Sequence, residues 1–196
     1  MNRLFLLMML LGCSLLSLSA QKITVDRIEK DGRHQVATKL KDFWIGGKNY
    51  SIGLKVFESS NDEEWQLVIS SYEYLPDSAE VLLKLGNYEV IHLSAKSAFI
   101  NKVTKPGREV SYGNKSEIEP PKTINHYFTF YEFDKTVMDK VGAYGIIKIR
   151  ISNGAEFRDK VYMPKNKLGK YLMKCRKKIK QRIESPVKPQ SLFDDF

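Results

Sequence analysis

The chain reads as a mostly β protein of the α+β kind: an antiparallel two-layer sheet or sandwich of about ten strands, with a long amphipathic C-terminal helix packed on it. Three observations point there. Between residues 21 and 162, apolar side chains recur with period two in short runs separated by Gly, Pro and Asn turns. Over 165–183 the period changes to three and four. No internal repeat is present, so a solenoid or propeller is set aside.

The elements follow in order. Val36, Leu40 and Trp44 fall on one face of a run that ends at Gly46-Gly47. The next run puts Tyr50, Ile52, Leu54 and Val56 on one face, and a Gly-Gly pair between two alternating runs predicts a hairpin. Trp65, Leu67 and Ile69 alternate in a further strand, with Tyr72 and Tyr74 on its other face. Val81, Leu83 and Leu85 lead into Gly86-Asn87, and residues 88–93 return as a second hairpin. Residues 97–104 and 108–112 read as strands around Pro106-Gly107, and 113–122, with Pro120-Pro121, as a loop. Residues 124–133 carry aromatics on both faces, which predicts a strand buried on both sides. Asp134 is placed to cap a short helix over 135–141 that Gly142 stops. Ile147, Ile149 and Ile151 then oppose Lys148 and Arg150, and Asn153-Gly154 closes a hairpin that returns through Phe157 and Val161.

The last element spans 165–183. Leu168, Tyr171, Leu172, Cys175, Ile179 and Ile183 occupy an arc of about 120° at 100° per residue, the width of a core-facing stripe. Lys167, Lys170, Lys174, Lys177, Lys178 and Lys180 lie outside it, and basic residues near its end suit the negative pole of the helix dipole. Pro186 and Pro189 end the helix. The organisation expected is a single β-rich domain over 21–184 and a mobile tail over 185–196.

The N-terminal 21 residues carry a different signal. Met1-Asn2-Arg3 is a basic start, 4–18 is almost unbroken apolar sequence, and Ser19-Ala20-Gln21 is a small-residue cleavage site. This is the layout of a secretory signal peptide over 1–20. It predicts an exported protein, periplasmic or at the cell surface, and removes cytosolic, nucleotide-fuelled chemistry and most nucleic acid from reach. Leu10-Leu11-Gly12-Cys13 also fits a bacterial lipobox, which would make Cys13 a lipidated first residue; against it, the apolar run continues past the cysteine. Soluble release is favoured over the anchor. No later apolar run approaches 18 residues, so no transmembrane helix is expected in the mature chain. Cys175 would then stand alone, with no internal disulfide to form.

The net charge of +9 is concentrated. Residues 160–182 hold ten Lys/Arg and no Asp or Glu, whereas 21–159 hold 20 of each sign. The helix therefore has two readings. In one, Lys167, Lys170, Lys174, Lys177 and Lys178 contact a polyanion: an anionic lipid headgroup, an acidic glycan or an acidic envelope protein. In the other they form a solvated face over a docked stripe. Nucleic acid fits poorly, since Tyr171 alone interleaves the cations.

Catalytic signatures do not appear. There is no G-x-S-x-G, no Gly-rich phosphate loop and no paired Cys, so no catalytic residue and no cofactor is assigned. His34, His92 and His126 fall in separate strands without metal-ligand spacing, so no metal site is assigned; His126 with Glu132 or Asp134 is the one pairing to imagine. Cys175, at the centre of the stripe, reads as a small buried apolar residue. A binding or assembly module is the first reading of function. A small envelope hydrolase acting on glycan or peptide, with carboxylates drawn from separate strands, is the alternative.

Four segments, "VLLKLGNYEVIHL", "YFTFYEFDKTVMDKV", "GIIKIRISNG" and "KNKLGKYLMKCRKKIK", together with the "SLSAQ" end of the signal, resemble a class of uncharacterised exported proteins of the Bacteroidetes. The resemblance implies an all-β or α+β envelope protein and no particular catalytic residues. Asp77-Ser78-Ala79 likewise resembles an O-glycosylation acceptor of such proteins, and equally fits a turn.

Overall fold

A computed structural model describes residues 22–185, except 61, 77, 113, 114, 155 and 164. The expected signal over 1–20, with Cys13, and residues 186–196 of the expected tail lie outside the described residues, as does Asp77 of the acceptor pattern. No described helix is long and apolar enough to cross a membrane.

The chain is mostly β, as its periodicity predicts. Ten strands form one antiparallel sheet: β1 (Ile23–Ile28), β2 (His34–Thr38), β3 (Lys41–Ile45), β4 (Lys48–Glu58), β5 (Glu63–Ser71), β6 (Glu80–Leu85), β7 (Val90–Lys105), β10 (Lys122–Glu132), β11 (Ile146–Ser152) and β12 (Phe157–Val161). Their order is β1-β2-β4-β5-β10-β7-β6-β11-β12, with β3 also on the β4 edge. β8 (Arg108–Tyr112) and β9 (Lys115–Glu119) form a separate ribbon. The helices among the described residues are α1 (Lys135–Tyr144) and α2 (Lys167–Glu184).

β7 joins the two halves of the sheet. Its first residues pair with β6 through Ser94, and from Ala95 it pairs with β10. Lys96 is the extra residue at a bulge, because Phe130 faces Ser97 while Tyr131 already faces Ala95. The far end of the sheet curls back to β3: the Gly46 N–H donates to the Asp159 carbonyl at 3.0 Å. A Cβ at Gly46 would lie 2.9 Å from Arg158 Cβ, and its φ is +54°, so this seam requires glycine.

One face of the sheet is the core. Tyr50, Ile52, Leu54 and Val56 of β4, Trp65, Leu67 and Ile69 of β5, and Val81, Leu83 and Leu85 of β6 are all buried, as their alternation predicts. Leu168, Tyr171, Leu172, Cys175 and Ile179 of α2 pack on them, and Ile183 is partly buried. α1 contributes Met138 and Val141. Asp134 caps α1, accepting the Val137 N–H at 2.7 Å.

Several local readings need correction. The run through Val36, Leu40 and Trp44 is two strands whose inward faces have opposite parity. The Thr38 hydroxyl accepts the Leu54 N–H at 3.1 Å and donates to the Leu54 carbonyl at 3.2 Å, replacing ladder bonds. The chain steps over Gly53, where a Cβ would come within 2.7 Å of Leu40 Cδ2. Val36 is inward before this step; Phe43 and Ile45 are inward after it, and Trp44 is turned out. Residues 113–122 include β9, and α1 passes through Gly142 to end at Gly145, whose φ of +69° suits glycine. Tyr72 and Tyr74 lie beyond the end of β5.

β10 is buried on one side only. Thr129 and Tyr131 face the core, whereas His126, Phe128 and Phe130 line an open face. There the rings form a stack: Tyr72 on His126 at 4.3 Å, His126 against Phe128 at 4.3 Å, and Phe99 on Phe128 at 4.7 Å and Phe130 at 5.7 Å. Lys55 extends it, with its ammonium 4.9 Å from Phe130 and 4.1 Å from Phe57.

Candidate polyanion-binding groove

A groove of about 480 Å³ opens where β3, the end of β12 and the first turns of α2 meet. Alternation along β3 divides its residues between floor and rim. Phe43 turns inward and meets Tyr171 edge-on at 5.4 Å and Tyr162 at 6.4 Å. Trp44, its neighbour, points out and is 65% exposed. The Tyr171 hydroxyl donates to the Lys39 carbonyl at 2.9 Å and the Ile52 carbonyl at 3.0 Å, tying the helix to the break between β2 and β3. Burial pushes the Tyr162 phenol up to about 12, and its hydroxyl has no hydrogen-bond partner among the described residues.

Asn166 fixes where the helix starts. Its backbone is left-handed (φ 37°, ψ 44°), and its side chain accepts the Ile146 N–H at 2.7 Å instead of capping α2. It is wedged between two glycines: a Cβ at Gly145 would run into its side-chain amide, and one at Gly169 would lie 2.5 Å from its Oδ1. The turn is completed by N–H groups of Lys165 and Asn166 donating to the Tyr162 carbonyl at 2.7 and 3.0 Å. This packing sets the position of Lys165, Lys167 and Lys170 against β3.

Six lysines line the groove: Lys41, Lys160, Lys165, Lys167, Lys170 and Lys174. Among the described residues, none of the six has a carboxylate within ion-pair distance; the Lys41 ammonium instead sits 5.6 Å from the Tyr171 ring. The one carboxylate on the lining, Asp42, accepts a hydrogen bond from the Ser51 hydroxyl at 2.5 Å. The first turn of α2 has no acidic residue, so its cations stand at the positive pole of the helix dipole. That arrangement is electrostatically unfavourable in the free protein and is relieved by a bound anion.

Three cations farther along α2 are ion-paired, Lys177 and Lys178 not being among them. Arg176 pairs with Asp139 at 2.7 Å, Lys180 with Glu63 at 3.3 Å, and Arg182 with Asp26. Asp26 also accepts from His34 Nε2 at 2.6 Å. Burial opposes ionisation of Asp26, and the His34 and Arg182 hydrogen bonds outweigh it, holding its carboxyl below the usual range.

Of the residues proposed from sequence, Lys167, Lys170 and Lys174 lie in the groove, while Lys177 and Lys178 lie farther along the helix, outside its lining. Lys41, Trp44 and Lys160 were not legible as members, because β3 and β12 reach the helix only through the curl of the sheet; Lys165, in the turn before α2, belongs to the basic run but was not singled out. Cys175 is fully buried and burial pushes its thiol up, so it packs as an apolar residue. His126 and Glu132 are six residues apart on one strand, roughly 20 Å, and Asp134 is engaged as the helix cap. The shallow depression holding Glu29 and Asp31 has each carboxylate ion-paired, to Arg27 at 2.9 Å and Arg33 at 2.7 Å.

Comparison with protein-family models, with curated proteins and with solved structures finds no match to this chain.

Proposed function

We propose that this chain is an exported envelope module that binds a polyanion through the groove between β3 and α2. One observation carries the reading: six lysines share one concavity with no carboxylate partner among the described residues, although the same helix pairs Arg176, Lys180 and Arg182. The basic start, apolar run and small-residue site at 1–21 support export, and the resemblance to exported Bacteroidetes proteins supports an envelope role. The groove offers cations and an aromatic plane, with one hydrogen-bonded carboxylate, which suits binding better than hydrolysis.

The test compares two sets of substitutions. Replacing Lys165, Lys167, Lys170 and Lys174 together by Gln should weaken binding to polyphosphate by at least about tenfold at low salt, and wild-type affinity should fall steeply as salt rises. Replacing Lys177 and Lys178 by Gln should change it by less than about threefold, since screening leaves them only a long-range contribution. Titration calorimetry reads both. Equal losses would disperse the site along the helix, and no wild-type binding at low ionic strength would end the reading.

A further inference from the structure

Resting on the polyanion reading, we propose that the groove is a site for an acidic polysaccharide, with the Trp44 indole as the platform beneath a sugar ring. Trp44 is turned outward by the parity change at Thr38–Leu40 and held beside Asp42 on a strand whose other face is locked into the core. Its indole presents an electron-rich plane, which attracts the positively polarised C–H face of a pyranose ring. The surrounding lysines would hold carboxylates on neighbouring sugar units.

The type of cation narrows the ligand. Among the described residues no arginine lines the groove. Arginine's planar fork selects one fixed bidentate geometry, whereas a lysine ammonium is a point charge on a flexible stem. Six of them tolerate variable spacing between anionic groups, as along a polymer. Concavity separates this ligand from a bilayer. Trp44 and the lysines line one concavity of about 480 Å³, within the volume range of ligand clefts. A flat membrane surface meets ridges, and the ridge here would be the outer face of α2 at Lys177.

The protein contains its own reporter. Its two tryptophans are Trp44, 65% exposed, and Trp65, 2% exposed with its indole N–H donating to Glu63 at 2.9 Å. Quenching by neutral acrylamide therefore reads Trp44. Polygalacturonate should protect it from acrylamide. Trp44→Ala should lower affinity for polygalacturonate by about tenfold, and Trp44→Phe by less. Binding of polyphosphate, which has charge but no sugar ring, should change less than twofold in either variant. If Trp44→Ala binds polygalacturonate like wild type, or Trp44 stays fully quenchable in the complex, the sugar platform is overturned while the polyanion reading stands. Tighter binding to vesicles rich in anionic lipid than to polygalacturonate would also overturn it. If wild type binds neither polymer, the polyanion reading itself has failed.

Discussion

The two ends of α2 carry the same kinds of side chain and use them differently. At the C-terminal end three cations reach a carboxylate on a neighbouring element: Arg176 on Asp139 of α1, Lys180 on Glu63 of β5 and Arg182 on Asp26 of β1. At the N-terminal end Lys167, Lys170 and Lys174 join Lys41, Lys160 and Lys165 around a groove whose one carboxylate is already hydrogen-bonded to Ser51. The dipole deepens the contrast, because Arg182 sits at the negative pole and Lys167 at the positive one. One end is electrostatically settled, and the other is held in a state that an incoming anion improves.

The largest effect should come from breaking what both ends share. Leu172, fully buried midway along the stripe, anchors the whole helix to the sheet. Leu172→Ala should cost about 2–4 kcal/mol in urea unfolding, the range of a core cavity. A cost under about 0.5 kcal/mol would show that the helix stands apart from the core.

A smaller effect should separate the ends. Arg182→Gln removes a partner from Asp26 and should cost about 1 kcal/mol, as for a partly buried ion pair. The fourfold Lys→Gln change at the groove should cost nothing, or stabilise by a few tenths of a kcal/mol as repulsion is relieved. Equal destabilisation by the two changes would erase the distinction.

The smallest effect is in acid. Asp159 accepts two hydrogen bonds from Arg150, at 2.7 and 2.8 Å, and pairs with Lys148 at 2.5 Å. The Arg150 hydrogen bonds, more than burial opposes them, bring its carboxyl down to about 2 from 3.8. Because the folded value is the lower one, this contribution is present above pH 3.8 and is lost as the pH falls toward about 2. Asp26, lowered in the same sense, adds to the loss at the settled end of α2. The melting temperature should drop through that window, and Asp26→Asn with Asp159→Asn should flatten the drop. An unchanged profile in the double variant would place the acid sensitivity elsewhere.

Local chemistry was legible in the sequence wherever a regular period met a turn. The alternation of Tyr50 to Val56, the Gly86-Asn87 hairpin, the Asp134 cap and the stripe from Leu168 to Ile179 all depend on neighbours within a few residues. What failed was long-range. The Val36-to-Trp44 run breaks because the Thr38 hydroxyl, in place of backbone groups, bonds to the backbone of Leu54, 16 residues away, which no period encodes. The aromatics of β10 looked buried on both sides because ring content resembles burial; Phe128 and Phe130 instead stack on Phe99 of β7 across an open face. Three of the five lysines proposed for the site line the groove, since the charge run is local. Trp44 and Lys41 were missed because a curled sheet brings them there.

The seam at Gly46 and Asp159 gives that curl a further meaning. On its sheet side the groove is formed by β3 and the end of β12, and among the described residues one backbone hydrogen bond of 3.0 Å joins these strands beside it. Opening that one bond is a local event, cheaper than global unfolding. The Gly46 amide should exchange with solvent deuterium faster than the amides of β4 or β5, and a ligand gripping both strands would slow it. A bulkier residue at Gly46 would press against Arg158 and push β3 away from β12 at the sheet side of the groove.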